Sequence, residues 1–122
     1  MKRYVLLACI CVLALAAQGC TYVSKISAED IESITVTGLE TGGELYCSQE
    51  QIESFVKGYN SACFYTNDVG TTHPYRADVM FSGGTALVVW GGTQGFCTVY
   101  SEACGQRNIK SANLDNWFYG LE

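Results

Sequence analysis

The cysteines are the residues of this chain that most clearly suggest chemistry. Beyond residue 30 there are four of them, Cys47, Cys63, Cys97 and Cys104. An even number of cysteines in an exported domain indicates disulfides, and four cysteines allow three connectivities. If Tyr100-Ser101 forms a two-residue turn, Cys97 and Cys104 stand opposite each other on a hairpin, and Cys47 is left to pair with Cys63. We therefore expect at least one disulfide.

Buried free thiols are the alternative, because a sequence does not set the Cβ distances that a bridge requires. A zinc site is disfavoured, since fifteen residues separate Cys47 from Cys63 and six separate Cys97 from Cys104, and neither spacing matches a zinc knuckle. Cys97 and Cys104 also lack the Cys-x-x-Cys spacing of a redox pair. We expect no metal and no cofactor.

Catalysis by a histidine would have to use His73, the single histidine of the chain. It lies in the polar loop Asn67–Pro74, and the sequence contains no Gly-x-Ser-x-Gly elbow. A carboxylate pair of the glycosidase kind is the other arrangement to consider. The acidic residues, however, are scattered, as is typical of solvated faces. We therefore predict no catalytic residue and no enzyme.

Aromatic residues near the same loop suggest recognition instead. The turn Trp90-Gly91-Gly92, Tyr75 and the loop Asn67–Pro74 are expected at one end of the sheet, because the loop and the turn flank the same strands. Aromatic side chains beside polar loops are common at binding sites. We name Tyr75, Trp90 and His73 as a candidate binding surface, with burial of Trp90 in the core as the alternative.

The start of the sequence predicts export. Lys2 and Arg3 precede the apolar run Tyr4–Ala17, which is followed by Gln18-Gly19-Cys20. A basic start, a short apolar stretch and small residues before a cut are the features of a secretory signal. The run is shorter than the roughly 20 residues that a bilayer-spanning helix needs. We assign residues 1–19 to a signal peptide.

Ala17-Gln18-Gly19-Cys20 resembles the lipobox of bacterial lipoproteins, in which small residues precede a cysteine that is lipidated and becomes the new N-terminus. The chain is similar in layout to small bacterial lipoproteins of unknown function: a signal, a cysteine, a short tether and a compact domain. The resemblance implies a lipid on Cys20 and anchoring to the cell membrane or outer envelope. Ordinary signal cleavage, with secretion, is the alternative.

Composition narrows the partners. Cleavage before Cys20 leaves 103 residues and removes Lys2 and Arg3, so that five basic residues face twelve acidic ones and the net charge is −7. No basic cluster is present, which argues against nucleic acid as a partner. We expect membrane contact through the lipid on Cys20, and an envelope protein or a cell-wall component as a further partner.

The segment Tyr75–Tyr100 predicts three strands joined by glycine turns. Ala77, Val79 and Phe81 alternate with polar or exposed types, which indicates a half-buried strand. Ala86–Trp90 is apolar without alternation, which favours a central strand covered on both faces. Phe96–Tyr100 forms the third strand, and Ala103–Lys110 is expected to extend the sheet beside it. Earlier strands are predicted at Ile31–Thr37, Glu44–Cys47 and Ala62–Thr66.

Two helices are predicted. Ser48 and Gln51 match a capping box, and Ile52, Phe55, Val56 and Tyr59 follow at helical spacing. Ser111 caps a final helix in which Leu114, Trp117, Phe118 and Leu121 recur at the same spacing.

The predicted fold is α+β, a mostly antiparallel sheet in the order β-β-α-β-β-β-β-α, with residues 20–30 as a tether and 31–122 as a single domain. The expected function is an exported, lipid-anchored binding or interaction module of the cell envelope. The alternatives are an inhibitor of secreted enzymes, or an envelope hydrolase that uses His73 or a carboxylate pair.

Overall fold

The computed structural model of the chain describes residues 23–65, 73–93 and 95–121. The predicted signal peptide, Cys20 and residues 67–72 of the predicted polar loop lie outside these described residues. Seven strands are present in the described part of the chain. Their bounds are β1 Ile31–Gly38, β2 Glu44–Tyr46, β3 Cys63–Tyr65, β4 Tyr75–Phe81, β5 Ala86–Thr93, β6 Phe96–Ser101 and β7 Gly105–Lys110.

The same described residues form two α-helices, α1 at Gln49–Asn60 and α2 at Ala112–Tyr119, and a short 3-10 turn at Ala28–Asp30. The sheet is antiparallel throughout, so the predicted α+β class is confirmed. Five strands separate the two helices, whereas the predicted order counted four. The order omitted one strand that the predicted segments include: Ala103–Lys110 is expected to extend the sheet, and β7 forms there and pairs along its whole length with β6.

The strands lie in the order β2-β1-β4-β5-β6-β7-β3, so β2 and β3 are the two edges. Helix α1 follows β2 directly and leads into β3. It must therefore cross the sheet from one edge to the other. The crossing helix and α2 cover the same face, because α1 and α2 contact each other and both supply residues to one core.

Helix α1 begins as the sequence predicts. The Ser48 side chain accepts a hydrogen bond from the Gln51 backbone N–H, and the Gln51 side chain accepts one from the Ser48 N–H, which satisfies free donors of the first turn. Ile52, Phe55 and Tyr59 face inward and are buried. The Trp117 indole N–H donates to the Gln51 carbonyl at 2.9 Å, which ties α2 to the start of α1.

Helix α2 is capped by Ser111, whose side chain accepts from the Leu114 N–H at 3.1 Å. It lies over β5 and β6. The approach is close at Gly91, where a Cβ atom would clash with the ring of Phe118 and come within 3.1 Å of the Cys97 sulfur. The absence of a side chain at Gly91 therefore allows α2 to pack onto the sheet.

Burial alternates along the strands and separates two faces of the sheet. We call the face under α1 and α2 the covered face; Ala77, Val79 and Val89 lie on it with no exposed area. We call the other the open face. Strand β5 was expected to be covered on both sides. It is central, but Val88 and Trp90 are only half-buried, because no described helix lies over the open face.

The second part of the predicted tether packs against the domain. Val23 is 3% exposed, and its N–H donates to the Ala62 carbonyl at 3.1 Å. Ile26 exchanges two hydrogen bonds with the side chain of Asn60. Buried apolar area and paired backbone groups thus hold residues 23–30, which the sequence assigns to the tether, against the domain.

Candidate functional site

The open face carries a row of cross-strand partners that includes Trp90. The register aligns Arg76 with Trp90, Trp90 with Thr98, and Thr98 with Asn108. The Arg76 guanidinium carbon lies 5.6 Å from the centre of the Trp90 ring, a cation–π distance. Arg76 also forms an ion pair with Asp78 at 3.0 Å. The half-buried Trp90 is thus fixed by its neighbours, with part of its ring left exposed.

Other aromatic side chains share the open face with Trp90. Tyr46 is the cross-strand partner of Thr35 and is 75% exposed. Phe96 and Tyr65 lie with their ring centres 4.9 Å apart, and the Lys110 ammonium is 5.8 Å from the Phe96 ring centre. Flat aromatic surface flanked by cations is typical of protein recognition sites, since it gives large contact area with little loss of side-chain entropy.

His73 joins this row from the segment before β4. Its Nε2 lies 3.1 Å from the Thr98 hydroxyl oxygen, and that hydroxyl donates to the Asn108 side-chain oxygen at 3.0 Å. The Thr98 oxygen therefore accepts from His73, and Nε2 carries the proton. His73 is 8% exposed. Burial lowers the pKa of His73, and the negative charge of Asp115 opposes that shift.

Tyr75 lies away from these two residues. Its ring stacks on Phe118 with 5.8 Å between ring centres and meets the edge of Tyr119 at 6.0 Å, so it packs against α2 on the covered face. Of the three residues predicted to form a binding surface, the structure brings Trp90 and His73 together through Thr98. Tyr75 is separated from them because side chains alternate along β4.

A cleft of about 500 Å³ opens at the end of the sheet where the β4–β5 and β6–β7 turns lie. Its walls come from the N-terminal segment, the end of α1 and these two turns. The lining residues are Ser24, Lys25, Ile26, Tyr59, Phe81, Gly84, Thr85, Ala86, Leu87, Val88, Tyr100, Ser101, Glu102 and Ala103. Volumes of roughly 300–1,000 Å³ are usual for small-molecule sites.

Tyr59 is the buried polar side chain of the cleft wall. It is 8% exposed, and burial raises the pKa of its hydroxyl, with the charge of Cys104 adding to the shift. The hydroxyl consequently keeps its proton and is available as a donor in a largely apolar wall. Sequence analysis missed this cleft. Its walls come from four separate chain segments, and no local motif marks them as neighbours.

The predicted disulfides are absent from the described part of the chain. The β6–β7 turn falls at residues 102–104 and so begins two residues later than the predicted Tyr100-Ser101 turn, because Ser101 pairs with Gly105. Cys97 is therefore opposite Ile109 and buried, whereas Cys104 lies exposed in the turn. The predicted pairing of Cys97 with Cys104 is wrong for this geometric reason.

Cys47 and Cys63 lie at opposite ends of α1. Cys47 follows the edge strand β2, and Cys63 begins the other edge strand, β3. A helix of 12 residues is about 18 Å long, whereas a disulfide needs Cα atoms about 4.4–6.8 Å apart. The crossing helix thus keeps the two cysteines apart. Burial raises the pKa of the Cys47 thiol to about 11, which disfavours its thiolate.

Asp115 lies between α2 and the sheet with little solvent contact. It is 6% exposed, and within the described residues its Oδ1 has no hydrogen-bond partner. Its negative charge reaches two other groups. Burial, with a smaller contribution from the charge of Asp115, raises the pKa of the Cys97 thiol to about 12, and the charge of Asp115 also opposes the lowering of the His73 pKa. A Cys97 thiol held protonated and enclosed is a packing residue and a poor nucleophile.

Comparisons with known proteins identify no relative: no protein family, no curated protein and no solved structure matches the chain. Within residues 23–65, 73–93 and 95–121, no three His, Cys, Asp or Glu side chains come together in a way that could hold a metal ion. Neither described helix is long and apolar enough to cross a membrane.

Proposed function

We propose that this protein is an exported, lipid-anchored binding module of the cell envelope, with no catalytic role, and that it contacts an envelope protein or a wall component through the open face. The observation that carries the proposal is the row around the half-buried Trp90, over which none of the described helices lies. Trp and Arg together are the residue types most enriched at the energetic centres of interfaces. In this row they stack on each other in a half-exposed position.

The state of the titratable groups supports binding over catalysis. A catalytic histidine needs a pKa near the working pH and access to substrate. Burial lowers the pKa of His73, and only 8% of the residue is exposed. Its Nε2 proton is used in a hydrogen bond that orders Thr98 and Asn108. These features are typical of a structural histidine, which here holds Thr98, the cross-strand partner of Trp90, in place.

Anchoring at Cys20 follows from the sequence start and is the second half of the proposal. The mature charge of −7 would be repelled by anionic lipid, so charge alone would not hold the protein at a membrane. A lipid on Cys20 supplies that attachment. The Cys20→Ala variant should leave the membrane fraction when cells are fractionated; retention of the variant in that fraction would contradict lipid anchoring.

Site-specific photocrosslinking in intact cells tests the open face. A photoreactive phenylalanine at Tyr46, which is 75% exposed on the open face, should give discrete crosslinked products. The same residue at Tyr119, which is 51% exposed on α2, serves as the matched control and should not. Trp90→Ala should remove the Tyr46 products. Equal crosslinking from both positions, or products that survive Trp90→Ala, would refute the open face as the contact surface.

A further inference from the structure

The cleft lies next to the point where the predicted anchor joins the domain. Ser24, Lys25 and Ile26 form part of its wall and follow directly after Val23, whose backbone is bonded to Ala62. Three peptide units separate Cys20 from Val23, a fully extended length of about 11 Å. If Cys20 carries lipid, as proposed above, this short connection holds the cleft at the membrane surface.

The wall of the cleft is mainly apolar. Ile26, Phe81 and Leu87 contribute to it from the N-terminal segment, β4 and β5. An apolar surface of this kind favours a hydrocarbon ligand, because removing such a chain from water is favourable at roughly 25 cal/mol per Å². A volume of about 500 Å³ suits a single drug-sized chain better than a lipid with two chains.

Two side chains of opposite charge, Lys25 and Glu102, also line the cleft. Both are exposed, and neither forms an ion pair with another described residue. A ligand with only an anionic head would meet attraction at Lys25 and repulsion at Glu102. A head that carries both charges can pair with the two residues at once, and the Tyr59 hydroxyl can donate to its oxygens.

We propose that the cleft binds a single-chain zwitterionic phospholipid taken from the adjoining membrane. The acyl chain lies against Ile26, Phe81 and Leu87, and the phosphate and amine of the head lie near Lys25 and Glu102. The proposal rests on the anchoring at Cys20 proposed above, because the anchor is what brings the cleft to its ligand. It adds a lipid site to a module whose protein contact is placed on the open face.

Photolabelling in vesicles tests the site directly. The mature full chain is reconstituted in vesicles of phosphatidylethanolamine and phosphatidylglycerol with a trace of lysophosphatidylethanolamine that carries a diazirine in its acyl chain. Label should concentrate on peptides that contain Tyr59 or Leu87. Thr85→Trp, at an exposed position in the cleft wall on the same side of the sheet as Phe81 and Leu87, should fill the cleft and reduce this label about tenfold, equivalent to about 1.4 kcal/mol. Ala112→Trp, at an exposed position on α2, should leave it unchanged.

Label distributed over the surface without preference for the cleft, or cleft label that Thr85→Trp does not reduce, overturns the proposal. An equal loss in Ala112→Trp also overturns it, because the loss would then reflect a general effect of a large apolar addition.

Charge variants test the head group. The diazirine lysophosphatidylethanolamine is compared with diazirine lysophosphatidylglycerol, which has the phosphate but no amine. Lys25→Gln should weaken labelling by both probes up to about fivefold, the scale of an exposed ion pair. Glu102→Gln should weaken only the amine-bearing probe. Lys57→Gln and Glu53→Gln, at exposed positions on α1, should change neither. Identical behaviour of the two probes in every variant overturns the zwitterionic head.

The Cys20→Ser chain separates this proposal from the proposed anchoring. Fractionation reports the anchor, and labelling by lysophosphatidylethanolamine added below its critical micelle concentration reports the cleft. Labelling of the cleft in the Cys20→Ser chain supports the lipid site, whether that chain is found in the membrane fraction or in the soluble fraction. Loss of cleft label from both wild type and Cys20→Ser overturns the lipid site, whatever fractionation says of the anchor. A several-fold gain in cleft label in Cys20→Ser means that the chain's own lipid fills the wild-type cleft, which overturns a membrane phospholipid as the occupant.

Discussion

The covered face and the open face of the sheet are built from alternate residues of the same strands. In β5, Val89 has no exposed area and lies in the core, while the neighbouring Val88 and Trp90 are half-exposed. Both faces of this strand are apolar, so its composition does not distinguish them. The difference arises from the helices, since α1 and α2 both pack on one face and no other helix of the described residues lies on the other face.

This comparison separates stability from recognition. Apolar residues on the covered face are enclosed by Phe55, Leu114 and Phe118, and their burial stabilises the fold. Apolar residues on the open face remain partly in contact with water and contribute less to folding. A large side chain on the open face, such as Trp90, therefore retains accessible apolar surface that a partner can contact.

The largest expected effect contrasts Phe55 with Trp90. Phe55 has no exposed area and its ring centre is 5.1 Å from that of Trp117. Phe55→Ala should lower the free energy of unfolding by about 3–5 kcal/mol, since it removes a buried ring and leaves a cavity. Trp90→Ala should cost about 1 kcal/mol or less. Urea denaturation measures both, and equal losses would refute the assignment of different roles to the two faces.

Gly91 tests the contact that covers one face. A Cβ there would clash with Phe118, so Gly91→Ala should push α2 from the sheet and lower stability by about 1–3 kcal/mol. Gly83 is the matched control, because a Cβ added in that turn meets no atom within 4 Å. Gly83→Ala should change the free energy of unfolding by about 0.5 kcal/mol or less. Similar unfolding midpoints for the two variants would contradict the close packing.

Alkaline pH should lower the free energy of unfolding, because it favours ionisation of the buried Cys97 thiol on the covered face. Burial raises the pKa of this thiol to about 12 in the folded chain, whereas an unfolded thiol has a pKa of about 8.5. A raised folded-state pKa gives stability that is complete below the unfolded value and is lost as the pH rises towards the folded one. Unfolding free energy should thus fall above about pH 9. Cys97→Ala should flatten this decline and Cys104→Ala should not; a decline that is the same in both variants would exclude Cys97.

Acidic pH should lower the free energy of unfolding by a smaller amount, because His73 is protonated more readily in the unfolded chain. Burial lowers its folded-state pKa below the unfolded value of about 6.5. The unfolded chain then binds more protons, so stability is complete above about pH 6.5 and falls as the pH decreases through the folded pKa. NMR titration of the single histidine measures the shift. Asp115→Asn should lower the pKa of His73 further, because it removes an opposing negative charge; an unchanged or higher pKa would contradict that coupling.

Local signals predicted much of the fold. Ser48, Gln51 and Ser111 act within one helical turn, and the structure confirms their capping bonds. The strand segments were also recognisable, because alternation is a local property. The β6–β7 turn was predicted two residues too early, because the pairing of Ser101 with Gly105 depends on the register of the whole hairpin.

Properties set by distant contacts were not predictable in the same way. The sequence of β5 does not indicate which of its two faces a helix will cover. Because the run is apolar on both sides, it predicted that both faces would be covered. The cleft likewise depends on Tyr59 approaching turns that lie more than twenty residues further along the chain. The same holds for the cysteines, whose separation follows from the path of α1 between the sheet edges.

The path of α1 from one edge of the sheet to the other also affects the order in which the strands can pair. Strand β1 pairs along most of its length with β4, and the edge strand β3 pairs with β7, the last strand of the sheet. The segments that leave a ribosome or a translocation channel first therefore wait for partners that leave last. Non-local pairing of this kind slows folding. The sheet cannot be completed until β7 has been synthesised, so the edge strand β3 stays unpaired until then.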